Sequence, residues 1–117
     1  VEVNRHTPHF LCSFQPFQIT VHESNNYTVV FFSSSLNDYS IVFGGYIASA
    51  VDLLAHTHLV SSVSYTGVTK SLSVRFPFAL KADVPYHAST YEYNGEVHVS
   101  LDDTDFGSAK IRLLTRL

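Results

Sequence analysis

A chain of 117 residues, 45% hydrophobic and 15% charged, has the size of one domain and enough apolar material for a core, which excludes a disordered segment. Its net charge of −3, with only 7 scattered Lys and Arg, excludes a nucleic-acid footprint, and no apolar run reaches the length of a membrane span. A lone cysteine, Cys12, excludes an internal disulfide framework and fits a reducing compartment, so the expected location is cytoplasmic.

Residues 1–16 hold Pro8, Pro16 and two histidines with weak periodicity, and read as an irregular or short helical lead-in. Residues 17–22 alternate as a strand, and Ser24, Asn25 and Asn26 make a turn. Residues 27–33 are β-branched and aromatic, which predicts a second, buried strand. A polar loop from Ser33 to Ser40 then leads to the one convincing helix, starting near Gly44. Ile47, Val51, Leu54 and His58 recur at spacings of four, three and four, and Ala48, Ala55 and Leu59 widen that face. A loop or short strand is expected over 61–67.

The period then switches to two. Over 68–78, Leu72, Val74, Phe76 and Phe78 are expected on one face, and Thr69, Ser71, Ser73 and Arg75 on the other. Residues 84–93 form a long strand with Tyr86, Ala88 and Thr90 on one side. Asn94-Gly95 is a hairpin turn, and 96–101 return with Val97, Val99 and Leu101 inward. A longer turn over 102–107 leads to a last strand marked by Ala109, Ile111 and Leu113. The whole predicts a single α+β domain over 1–117, a curved antiparallel sheet wrapped around one central helix. One helix leaves part of such a sheet uncovered, and the charge content is low, so an oligomer is expected.

Three features of the helix region bear on chemistry. Gly44 and Gly45 open the helix, where the first N–H groups lack intrahelical partners and carry the positive end of the dipole; a ligand oxygen could approach them closely, although tight packing on the sheet needs small residues too. Asp52 stands among Val51, Leu53 and Leu54, either as a carboxylate on the wet face paired with His56 or as a base held in an apolar cleft. Asn37 is either a turn residue or an amide that orients a water or a carbonyl. The seven histidines are scattered, with no Cys or second carboxylate at ligand spacing, so no metal is expected.

Asn37, the run from Phe43 through Gly44, Gly45, Tyr46, Ile47, Ala48 and Ser49 to Asp52, then Gly67-Val68-Thr69 and Phe76-Pro77, together resemble the hotdog-fold acyl-CoA thioesterases. The resemblance spans about residues 17–117 and is sharpest over 37–52. Within that superfamily one branch, which includes the phenylacetyl-CoA type, carries His-Gly-Gly. The short bacterial and cytosolic branch carries Phe-Gly-Gly-Trp-Ile-x-Ser-x-x-Asp, which this chain is similar to with Tyr46 in place of Trp. Ser40 stands where many members have Gly.

The resemblance implies a hotdog fold and the following roles. Asp52 is the general base or nucleophile. Asn37, from the opposite protomer, positions the water or the thioester. The Gly44 and Gly45 N–H groups polarise the thioester carbonyl, and Thr69 helps hold the water. Phe43, Tyr46, Lys70 and Arg75 contact the substrate, with Lys70, Arg75, Lys81 and Lys110 the cations available to CoA phosphates. The expected partners are an acyl-CoA and a second copy of the chain, as a homodimer or a tetramer or hexamer built on one. No cofactor is implied beyond the CoA of the substrate. The competing expectation is a non-catalytic hotdog module that binds acyl chains or serves dimerisation.

Overall fold

Alternation of apolar and polar side chains decides most of the sheet. The computed structural model describes residues 2–4, 15–23, 25–62 and 66–115. Among these, seven strands form one sheet: β1 (Glu2–Asn4), β2 (Phe17–Glu23), β3 (Asn26–Phe31), β4 (Thr66–Val74), β5 (Pro85–Tyr93), β6 (Glu96–Leu101) and β7 (Thr104–Thr115). Their spatial order is β1-β2-β3-β5-β6-β7-β4. β1 pairs parallel to β2; every other neighbour pair is antiparallel. The lead-in expected to be irregular or helical therefore contributes a strand over 2–4, while 5–14, with Cys12, lie outside the described residues.

One helix, α1 (Gly44–Ser62), lies against this sheet and touches β4, β5, β6 and β7. Its buried stripe is the expected one: Ile47, Val51, Leu54 and His58 are all buried, joined by Ala50, Ala55 and Thr57. Phe17 and Ile19 of β2, Tyr27, Val29 and Phe31 of β3, Ala88 of β5, and Val99 and Leu101 of β6 close the core over it. Each fully buried large apolar side chain stabilises the fold by about 1.5–3 kcal/mol. α1 runs to Ser62, two residues into the loop or short strand expected over 61–67; 63–65 lie outside the described residues.

The second strand ends at Phe31, two residues early. Ser33–Ser35 turn as a 3-10 helix, with the Ser35 hydroxyl donating to the Phe32 carbonyl at 2.7 Å, a local side-chain bond that competes with the ladder. The Asn94-Gly95 hairpin forms with φ of 54° and 75°, as a two-residue loop requires.

The larger departure concerns β4. A bulge between Thr69 and Ser71 puts one extra residue, Lys70, on β4 against β7. Thr69 pairs with Ile111 and Leu72 with Ala109, and Ala109 and Ile111 share the helix-facing side. Thr69 therefore faces α1 together with Leu72 and Val74, not opposite them as strict alternation predicts. The strand also stops at Val74, so Phe76 and Phe78 leave the sheet and cross the N-terminal end of α1. No helix of the described residues is long and apolar enough to cross a membrane.

Candidate active site

The helix entry is stitched down from both sides. Val42 N–H donates to the Leu80 carbonyl at 3.1 Å and Phe43 N–H to the Ser35 carbonyl at 2.9 Å. The Phe43 carbonyl accepts from Tyr46 N–H and Ile47 N–H, which leaves the Gly44 and Gly45 N–H groups without a backbone acceptor among the described residues. A Cβ on Gly44 would meet the tip of the Phe76 ring at 3.0 Å, so any larger residue here pushes that ring aside by a few tenths of an ångström. Gly45 has open space beside it and is exposed. Close packing thus bears on Gly44 and not on Gly45.

The loop before the helix is closed by Asn37. Its side-chain oxygen accepts from Tyr39 N–H at 2.8 Å and Ile41 N–H at 3.1 Å, and its own N–H donates to the Ile41 carbonyl at 2.8 Å. Both lone pairs of that oxygen are taken, so the amide NH2 is what the side chain has left to offer a ligand. Ser40 turns this loop with φ of 62°, a left-handed conformation that glycine adopts without cost.

Along α1, Gly45, Ser49, Asp52 and His56 follow one another at spacings of four, three and four, on the side away from the core. The Asp52 side chain is 36% exposed and that of His56 26%. The β4 bulge delivers Thr69 to this stripe. The Thr69 hydroxyl donates to Asp52 Oδ1 at 2.5 Å, and His56 Nε2 lies 2.9 Å from Thr69 Oγ1. His56 and Asp52 themselves are 3.7 Å apart, too far for a hydrogen bond. No hydrogen bond from the described residues reaches Asp52 Oδ2.

At the N-terminal end of α1, Ile41, Val42, Ile47, Phe76, Phe78 and Leu80 line a cavity of about 350 Å³ whose mouth touches Gly44. Every lining side chain is apolar. Phe78 is held there by an edge contact with the buried Phe106 at 5.2 Å.

The other residues expected at the site are placed less closely. Phe43 and Tyr46 meet edge to face at 6.3 Å beside the helix start, with Phe43 half exposed and Tyr46 packed on the core. Lys70 is exposed on the bulge. Arg75 is exposed too, but its guanidinium is held by Asp105 at 2.6 Å. His56, expected only as the partner of Asp52 on the wet face, meets Thr69 instead, a contact between helix and strand that i,i+4 spacing does not signal. Among the described residues no group of three or more His, Cys, Asp and Glu is placed to hold a metal ion.

The sequence matches no family model and no curated protein. Solved structures do match. A hypothetical thioesterase of Streptococcus pneumoniae, solved with coenzyme A, is 20% identical with a TM-score of 0.62 over 92% of this chain and 94% of that one. A Streptococcus mutans protein bound to acetyl CoA is 17% identical, with a TM-score of 0.63 over 88% and 92% of the two chains. Thioesterase superfamily member 2 of Mus musculus is 12% identical, with a TM-score of 0.57 over 92% and 88%. This chain has the hotdog fold. Within the hotdog frame, the helix wrapped by the sheet presents its exposed stripe and its glycine-led end, and the Asp52–Thr69 pair lies on that stripe. The pneumococcal protein has also been solved with a threonine and, separately, an aspartate replaced by alanine.

Proposed function

We propose that the protein is a thioesterase that hydrolyses acyl-CoA thioesters by water attack assisted by Asp52. The observation that carries this reading is the partly exposed Asp52, with one oxygen fixed by Thr69 and the other unengaged among the described residues. A base needs an orienting partner and one open oxygen, and a passive acyl-binding module needs neither. Two of the structural neighbours were solved with coenzyme A or acetyl CoA, which supports the choice of carrier.

Spacing sets the further terms. Gly45 and Asp52 are seven residues apart, so about 10 Å separates them along the helix axis. A thioester carbonyl must lie within about 3 Å of both the attacking water and the oxyanion donors. Two copies with antiparallel helices meet both conditions, with Gly44, Gly45 and the Asn37 amide of one protomer facing Asp52 and Thr69 of its partner. The active species in this reading is a homodimer.

In this site the thioester oxygen accepts from the helix-end N–H groups and from the Asn37 amide. Asp52 Oδ2 takes a proton from water as the water oxygen bonds to the carbonyl carbon. The tetrahedral oxyanion collapses, the C–S bond breaks, and CoA leaves as thiolate, taking up the proton that Asp52 releases. The products are a free carboxylic acid and CoA. The apolar cavity at Gly44 takes a hydrocarbon acyl chain rather than a polar one.

A thiol-release assay across acyl-CoAs of increasing chain length, run beside Asp52→Asn, tests this. Release by the wild type that vanishes in the variant supports the mechanism. Release that survives in Asp52→Asn removes Asp52 as the base. No release from any substrate by a folded dimer favours the acyl-binding module.

A further inference from the structure

We infer that His56 is a positioning residue that donates to Thr69 Oγ1, holds that hydroxyl against Asp52 Oδ1 and thereby keeps one oxygen of Asp52 occupied and the other open. The kinetic part of this inference rests on the thioesterase reading; the bonding part does not.

The argument is a count of protons. The Thr69 hydroxyl has one proton and two lone pairs. It lies between Asp52 Oδ1 at 2.5 Å and His56 Nε2 at 2.9 Å. A carboxylate only accepts, and a hydrogen bond to a carboxylate is stronger than one to a neutral ring nitrogen, so the Thr69 proton goes to Asp52. His56 Nε2 must then carry a hydrogen and donate it to Thr69 Oγ1. That assigns His56 the Nε2–H tautomer and gives the chain His56 Nε2–H to Thr69 Oγ1–H to Asp52 Oδ1.

Two consequences follow. His56 has no lone pair facing the site at Nε2, so it takes no proton there and the base remains Asp52. And without the His56 donor Thr69 Oγ1 loses its second anchor, so the side chain could turn about χ1 and leave Asp52 Oδ1 to compete with Oδ2 for the attacking water. The effect of His56 is therefore transmitted through Thr69. The 3.7 Å gap between His56 and Asp52 excludes a direct hydrogen bond.

The first test reads the ring itself. Long-range nitrogen–proton NMR of histidine-labelled protein, recorded where the ring is neutral, should show the Nε2–H tautomer for His56, and Thr69→Val should disturb it. An Nδ1–H tautomer, or a signal that Thr69→Val leaves unchanged, overturns the arrangement whatever the protein's activity. The second test is kinetic. His56→Leu should lower kcat roughly tenfold with KM unchanged, since one orienting hydrogen bond is lost. His56→Gln, which keeps an N–H donor, should recover most of it. In a Thr69→Val background His56→Leu should cost nothing more. A full further loss there, or no recovery with His56→Gln, overturns positioning through Thr69. A wild type that releases no thiol sinks the enzymatic reading instead, and the NMR result still decides the bonding.

Discussion

α1 carries two histidines two residues apart, and each meets a threonine from the sheet. His58 is buried beneath the strands: its Nδ1 lies 2.8 Å from Thr90 Oγ1, which also contacts the Tyr27 hydroxyl at 3.3 Å. His56 is on the opposite side of the helix, where its threonine partner is bonded onward to a carboxylate that solvent reaches. The pairs use the same chemistry with opposite results. Beneath the sheet, the bonds satisfy polar groups that burial would otherwise penalise, and among the described residues no buried side-chain polar atom lacks a partner. On the open stripe, the same kind of bond orients a group that has an oxygen to spare. The difference lies in what the threonine is bonded to next and in whether a substrate can reach it.

Four substitutions sharpen or break this contrast. The largest effect is expected from Asp52→Asn, which keeps the shape but removes the base: kcat should fall at least ~100-fold while the thermal midpoint holds. Thr90→Val should destabilise by about 1–3 kcal/mol in denaturant unfolding, because the buried Tyr27 hydroxyl loses its hydrogen-bond partner, with kcat unchanged. A Thr90→Val enzyme that loses turnover but not stability would erase the distinction between the pairs. Thr69→Val should do the reverse, lowering kcat by roughly tenfold with little change in unfolding. Smallest is Ser40→Gly, which relieves a left-handed φ and should be neutral or stabilising by up to ~1 kcal/mol in the same unfolding measurement.

The features legible in the sequence are those that depend on local periodicity. Ile47, Val51, Leu54 and His58 repeat at the helical spacing and are buried together; Val97, Val99 and Leu101 alternate and point inward; Asn94-Gly95 turns where such a dipeptide turns. The pairing of β3 with β5, and the place of β4 at the sheet edge beyond β7, are set by contacts distant in sequence and have no local signal. At the site, Asp52 and the two glycines stand out as polar or small positions on an otherwise apolar helix. Thr69 does not, because Lys70 drops out of the pairing with β7, and alternation counted through that residue gives the wrong face. Phe76 and Phe78 mislead for a related reason: they continue the alternation after the strand has ended, and serve the cavity at the helix start instead.

The bulge in β4 also bears on insertions and deletions. Before Lys70 the inward positions are odd-numbered; after it they are even-numbered. The strand therefore contains two counting frames, one holding Thr69 opposite Asp52 and the other holding Val74 against the core. Removing Lys70 would merge the frames: with the later half held by its pairing to β7, Thr69 would directly precede Ser71, keep Ile111 as its partner and keep its inward face. A single-codon deletion at this exposed lysine would thus straighten the strand and still leave the hydroxyl beside Asp52.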